Sequence, residues 1–183
     1  MNSIQIIQRL HQHRAWVNGN LLTAAAGLDK EQLRQSFAIG QGSIWASLAH
    51  LYAAEYVWLE ALNGNEAAVA PGDLPGKLPG NQLGEGALTG IEDLQQKWNV
   101  LEQKWINYLS TLTEKNLDEI VYRQSSFAGR FGTRRVDVLL HVCTHAHYTV
   151  AQVINMLRQC GVQKFPDVML AAMARQEGPN SPK

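Results

Sequence analysis

A chain of 183 residues, 45% of them hydrophobic, can bury a full core and has the usual size of one domain, so a single domain over 1–183 is expected. Lysine plus arginine and aspartate plus glutamate both number 16, and charged residues are only 17% of the chain; with no long-range field to steer it, nucleic acid and membrane surfaces are poor partners. The start, MNSIQIIQRLHQHR, lacks the charged region, long apolar stretch and small-residue cleavage site of a signal peptide, and polar residues break every apolar run short of a membrane span, so a soluble, cytoplasmic protein is expected.

The first segment keeps helical spacing through Ile7, Leu10, Val17, Leu21 and Ala24, with a cap at Asn2 or Ser3. A second helix is expected from Ser43 to Leu62: Ile44, Leu48, Leu51, Leu59 and Leu62 line one stripe, and Gly64 stands where a C-terminal cap belongs. Its other flank carries Ser47, His50, Ala54 and Ala61, small enough for another helix to approach closely, which places this helix inside a bundle. Residues 63–90, with Pro71, Pro75, Pro79 and many glycines, read as one long loop.

Thr89 and Glu92 have the spacing of a capping box, opening a third helix that Leu94, Trp98, Leu101, Trp105, Tyr108 and Leu112 carry to about Leu112. Its aromatic stripe suits an internal core or a dimer face equally. Leu117 to Arg130 alternates poorly and reads as a short hairpin or an irregular crossover. Thr133 then caps a fourth helix that runs to Cys160 and stops at Gly161, with Leu139, Val142, Ala146, Val150, Val153 and Leu157 on its apolar face. DVMLAAMARQ forms a short terminal helix before a frayed tail, EGPNSPK, over about 177–183. Cys143 and Cys160, too few for a disulfide framework, fit best as small buried hydrophobes with reduced thiols.

The fourth helix contains HVCTH, which puts His141 and His145 on neighbouring turns of one face. Side chains four residues apart stand about 5 to 6 Å from each other, and metal–nitrogen bonds near 2 Å close that gap. His50, on the small-residue flank of the second helix, is the best third ligand. The spacing alone suits better a half-buried face whose histidines bond to backbone or hydroxyl groups. His11, His13 and His147 are read as surface residues. Gln152, two turns beyond His145, either orients a ligand or makes a helix contact. Tyr148 either donates to a bound ligand or is a buried aromatic anchor. Glu55 in the apolar stripe wants a cation, and Arg14 is its expected partner.

The segment GSIWASLAHLYAAEYVWLEALNG, with Ser43, His50, Trp58, Leu59 and Gly64, resembles the second helix of the DinB/YfiT-like superfamily. LLHVCTHAHYTVAQVINMLRQCGV, with His141, His145, Gln152 and the LRQ-G ending, resembles the histidine-rich helix of the same group, and Trp16 and Asn18 its first-helix W-x-N. The resemblance spans nearly the whole chain through the order and separation of its parts. It implies an all-α, up-down four-helix bundle, often a homodimer, holding a divalent ion such as nickel or zinc between one histidine of the second helix and two of the later one. On this chain that set is His50, His141 and His145. Many relatives carry a further histidine where this chain has Thr149.

Three imidazoles with an open position would polarise a carbonyl, acidify water or hold a thiolate. The resemblance extends this to a thiol-dependent transferase acting on a small molecule, with a low-molecular-weight thiol as partner, or to a hydrolase. The other class of answer is a non-catalytic, dimeric bundle that binds a metal or ligand at a degenerate site.

Overall fold

The computed structural model describes residues 2–125 and 128–178. Among these the chain forms α1 (Ser3–Ala26), α2 (Lys30–Arg34), α3 (Ile44–Leu62), α4 (Ile91–Ser110), a 3₁₀ turn at Glu114–Asn116, β1 (Ile120–Ser125), β2 (Gly129–Arg134), α5 (Arg135–Gln159) and α6 (Leu170–Glu177). No helix of the described residues is long and apolar enough to cross a membrane.

Local chemistry starts and stops these helices much as the sequence implied. Asn2 and Gln5 close a reciprocal capping box on α1, each side chain taking the other's amide at 2.9 and 3.0 Å. Ser43 Oγ accepts the Ala46 amide at 3.0 Å to open α3, and Gly64 (φ +94°) and Gly161 (φ +79°) follow α3 and α5 in the left-handed conformation that ends a helix. Two expected caps are not used. The Thr89–Glu92 box is replaced by Asp93, whose carboxylate accepts the Thr89 amide at 3.0 Å while the helix begins at Ile91. Thr133 pairs with Val121 in the hairpin, leaving Arg134 ahead of α5 with no side-chain cap. Of the expected tail, 179–183 lie outside the described residues, and Glu177 instead closes α6 and forms an ion pair with Arg9 at 2.6 Å.

The long helices α1, α3, α4 and α5 make the four-helix bundle, with α1 and α3 each packed between α4 and α5. Their directions follow from the contacts. Gln8 meets the Leu109 carbonyl and Arg14 meets Glu102, so α1 and α4 run antiparallel. Tyr52 meets Trp98 and Tyr56 meets Lys104, so α3 and α4 run parallel. His50 meets His145 and Trp58 meets His141, so α3 and α5 run antiparallel. The order is therefore up, down, down, up. Parallel neighbours cannot be joined by a tight turn, which gives the long loop 63–90 its job: it returns the chain along the bundle. The segment after α4 is a hairpin, β1 against β2 in the register Val121–Thr133 and Arg123–Phe131.

The aromatic stripe of α4 lies in the core. Trp98 and Trp105 are buried with Leu94 and Leu101 against Leu21, Leu48, Leu51, Val153 and Leu157. Within this core sits a charged cluster. Arg14 donates to Glu55, as expected, and to Glu102 at 2.6 Å; Asn18 and the Trp98 indole also donate to Glu55, at 2.8 and 3.1 Å. Arg14 further lies over the Trp105 ring at 5.2 Å. Burial pushes the Glu102 carboxyl up to about 7, opposed by Arg14 and helped by the charge on Glu55.

His11 and His13, expected at the surface, are buried, 1% and 3% exposed. Helix α1 packs against both α4 and α5 and is crossed by the C-terminal segment, so one amphipathic stripe understates how much of it is covered. The rings bond to carbonyls: His11 Nε2 donates to Leu139 O at 3.1 Å and His13 Nε2 to Val168 O at 3.0 Å. Burial, with the nearby Arg14 charge, pulls the His11 pKa to about 3 from an ordinary 6.5. As pH falls below 6.5 the unfolded chain takes up a proton that folded His11 refuses, so stability is lost toward acid at about 1.4 kcal/mol per pH unit. Comparing wild type with His11→Gln by urea unfolding isolates this group: the stability gap between them should shrink by about 3 kcal/mol from pH 7 to pH 4. A pH-independent gap would mean His11 titrates normally.

Candidate functional site

The antiparallel packing of α3 on α5 brings His50 to His145, with Nε2 atoms 3.3 Å apart and ring planes at 69°. His50 Nδ1 lies 2.8 Å from the Pro79 carbonyl. A carbonyl only accepts, so Nδ1 carries the proton and Nε2 presents its lone pair to His145. Loop 63–90 holds that carbonyl in place. Asp73 accepts the Gly80 amide at 2.6 Å and the Gln82 amide at 2.9 Å, which pins the turn against α3. Gly80 adopts φ +86°, and a Cβ there would stand 2.4 Å from His50 Cα, so only glycine lets the loop lie this close. Burial, then the neighbouring His50 and His141, lowers the His145 pKa to about 4, which keeps its ring neutral near pH 7.

His141 stands apart from this pair. Its ring is 5.7 Å from that of His145, centroid to centroid, and packs edge-on against Trp58 at 5.3 Å. Trp58 also meets Phe131 at 6.3 Å and carries the Arg123 guanidinium over its face at 4.7 Å. Burial and the Arg123 charge lower the His141 pKa. Among the described residues, no three His, Cys, Asp or Glu side chains are gathered as a metal would need; His50 and His145 converge, and His141 is one helical turn away.

The other sequence candidates separate. Thr149 is buried, 2% exposed, in the α5 core face. Tyr148 is neither buried nor an anchor: it is 69% exposed, on the outer side of α5. Gln152 reaches the loop before α3, where its Oε1 would stand 2.5 Å from a Cβ on Gly40. His147 faces α1, bonding through Nδ1 to the Cys143 carbonyl at 2.9 Å and tilting against His13 at 4.9 Å. Burial pushes the Cys143 thiol up to about 12, which makes it unreactive.

Pro79, Gly80, Trp58 and Arg123 were not singled out as site residues by the sequence reading. For Arg123 the signal was faint: within a segment that alternates poorly, it falls on the same face of β1 as buried Val121, so the arginine turns inward. The Pro79 carbonyl had none, since a backbone atom in a loop leaves no trace in composition.

The donor chemistry of the pair fits a divalent ion. Two imidazole nitrogens bound at about 2.0 to 2.1 Å to a tetrahedral ion stand about 3.3 to 3.4 Å apart, the separation found here between two Nε2 atoms. The Pro79 bond supplies the carbonyl partner that metal-binding histidines ordinarily have on their other nitrogen.

Solved structures share the fold. YfiT from Bacillus subtilis, described as a probable metal-dependent hydrolase with an unusual four-helix bundle topology, superposes with a TM-score of 0.65 at 17% identity, over 88% of this chain and 91% of its own. A conserved protein of Enterococcus faecalis gives 0.63 at 13% identity over 90% and 99% of the two chains, and a DinB-like protein of Bacillus cereus gives 0.58 at 15% over 87% and 95%. Among curated proteins, Protein DinB of Bacillus subtilis is 24% identical over 159 residues, 86% of this chain and 88% of that one. Residues 1–179 match the DinB family. By this match over nearly its whole length, the chain belongs to the DinB family.

Proposed function

We propose that this protein is a metal-dependent enzyme that holds a divalent ion, nickel or zinc, on His50 and His145 with His141 as third ligand. The single observation that carries the reading is the pair of Nε2 atoms at 3.3 Å, one of them oriented by the Pro79 carbonyl. His141 would leave Trp58 to serve. When bound, such an ion acidifies water or stabilises a thiolate, which suits a hydrolase or a thiol-dependent transferase. The description of YfiT as a probable metal-dependent hydrolase supports the first of these. The protein's own part is to hold two neutral imidazoles on rigid helices and to seat a small-molecule substrate, with a low-molecular-weight thiol as co-substrate in the transferase version. We also propose a cytoplasmic homodimer, for which the exposed Val100 and Ile106 on α4 supply apolar surface.

A second reading has its own support. With Thr149 buried and His141 against Trp58, the site is a two-histidine remnant in a bundle that binds a ligand without catalysis. Plasma mass spectrometry on protein purified without a histidine tag decides between them, with His50→Ala as control. Near-stoichiometric nickel or zinc that vanishes in the control supports the metal site on which the enzyme reading rests; no metal, even after reconstitution, supports the remnant.

A further inference from the structure

A cavity of about 350 Å³ opens between loop 63–90, α3 and β1, next to the histidines: Pro79, whose carbonyl orients His50, and Arg123, which rests on Trp58, both line it. Its walls are mostly apolar, with Val57, Val69 and Leu74 among them. Its charge is one-sided. Arg123 and Lys77 face it, and the one carboxylate in its lining, Asp73, already accepts the Gly80 and Gln82 amides on separate oxygens.

Arg123 is the unusual member. On and beside the hairpin, Arg130 binds Glu66, Arg134 binds Asp137 and Arg135 binds Glu119. Arg123 is half-buried and, among the described residues, meets no carboxylate; its partner is the face of Trp58. Burying a guanidinium without an anion is costly, and arginine does not escape by losing its proton. Stacking uses the face of the guanidinium and leaves its N–H edge free for the two oxygens of a carboxylate or phosphate.

We propose that this cavity recognises an anionic group, carboxylate or phosphate, on the small-molecule substrate, with Arg123 as its principal binding residue and Lys77 adding charge. The remainder of such a molecule is then directed past Trp58 toward His145 and His50. The assignment deepens the enzymatic reading and rests on it for the reaction, although the anion site itself is separable from the metal.

Calorimetric titration of metal-stripped full-length protein, in a zwitterionic buffer at low salt, tests it with succinate, inorganic phosphate and uncharged succinamide. Saturable binding of at least one anion, with succinamide inert, is expected, and which anion binds tells carboxylate from phosphate. Arg123→Gln should weaken that binding about tenfold or more. Arg123→Lys should be intermediate, and Lys77→Met, on the exposed loop, should weaken it a few-fold without touching the hairpin. His145→Ala, which leaves the His50–Pro79 bond at the cavity wall in place, should keep anion binding while abolishing metal uptake, so the two readings fail separately. Absence of saturable anion binding by wild type, or undiminished binding in both Arg123→Gln and Lys77→Met, overturns the proposal.

Discussion

Replacing Glu55 with alanine is expected to destabilise the fold by about 3 to 5 kcal/mol, because removing one partner of a buried ion pair leaves the other charge uncompensated. Arg14 is 1% exposed and would keep only Glu102 as a carboxylate partner. Asn18 and the Trp98 indole would lose their acceptor at the same stroke. Against a total stability of about 5 to 15 kcal/mol this is a large fraction, and it corresponds to a fall in Tm of about 6 to 20 °C. Guanidinium unfolding of Glu55→Ala beside Glu55→Gln provides the measurement. The glutamine keeps the shape and one acceptor oxygen and should cost less. An alanine variant within about 1 kcal/mol of wild type would show that Arg14 finds another arrangement, and that the cluster is not what holds α1, α3 and α4 in register.

The second large effect concerns metal. With the proposed divalent ion on the pair, His145→Ala should reduce its affinity by at least about 100-fold, since loss of a partner that only orients a ligand already costs 10- to 100-fold. His147→Ala should leave affinity unchanged. The two residues lie two positions apart on α5, yet His147 is turned to α1 and tied to the Cys143 carbonyl, while His145 meets His50. Competition against a chromophoric chelator gives both affinities. Equal losses in the two variants would sink the assignment of the pair, because they would mean that the helix was perturbed rather than a ligand removed.

The sequence carried some of this structure and withheld the rest, for physical reasons. The apolar stripes of α3, α4 and α5, the cap at Asn2 and the glycine stop at Gly64 are local signals, encoded within a turn or two, and they were legible. So was the Arg14–Glu55 pair, because a carboxylate in an apolar stripe demands a cation. The convergence of His50 with His145 followed from residue type and flank. The placement of His141 against Trp58 did not, since helical spacing fixes where a Cβ points and not which rotamer packing selects. The burial of His11 and His13 was hidden because α1 is covered from two sides and by residues near Val168, contacts more than a hundred positions away in sequence. Helix α2 escaped notice because five residues are too few to show a period, although its capping box, Asp29 with Gln32, is written in the sequence.

The up, down, down, up order also sets a timetable. His50 and His145 are 95 positions apart, and α5, which carries the second of them, packs on both α1 and α3. Until α5 has left the ribosome there is nothing for His50 to face, and α1 lacks one of its two neighbours. Before α5 emerges, only the α1–α4 and α3–α4 contacts and the Arg14 cluster are available to the first three long helices. A ligand that needs both histidines therefore binds only once α3 and α5 have met.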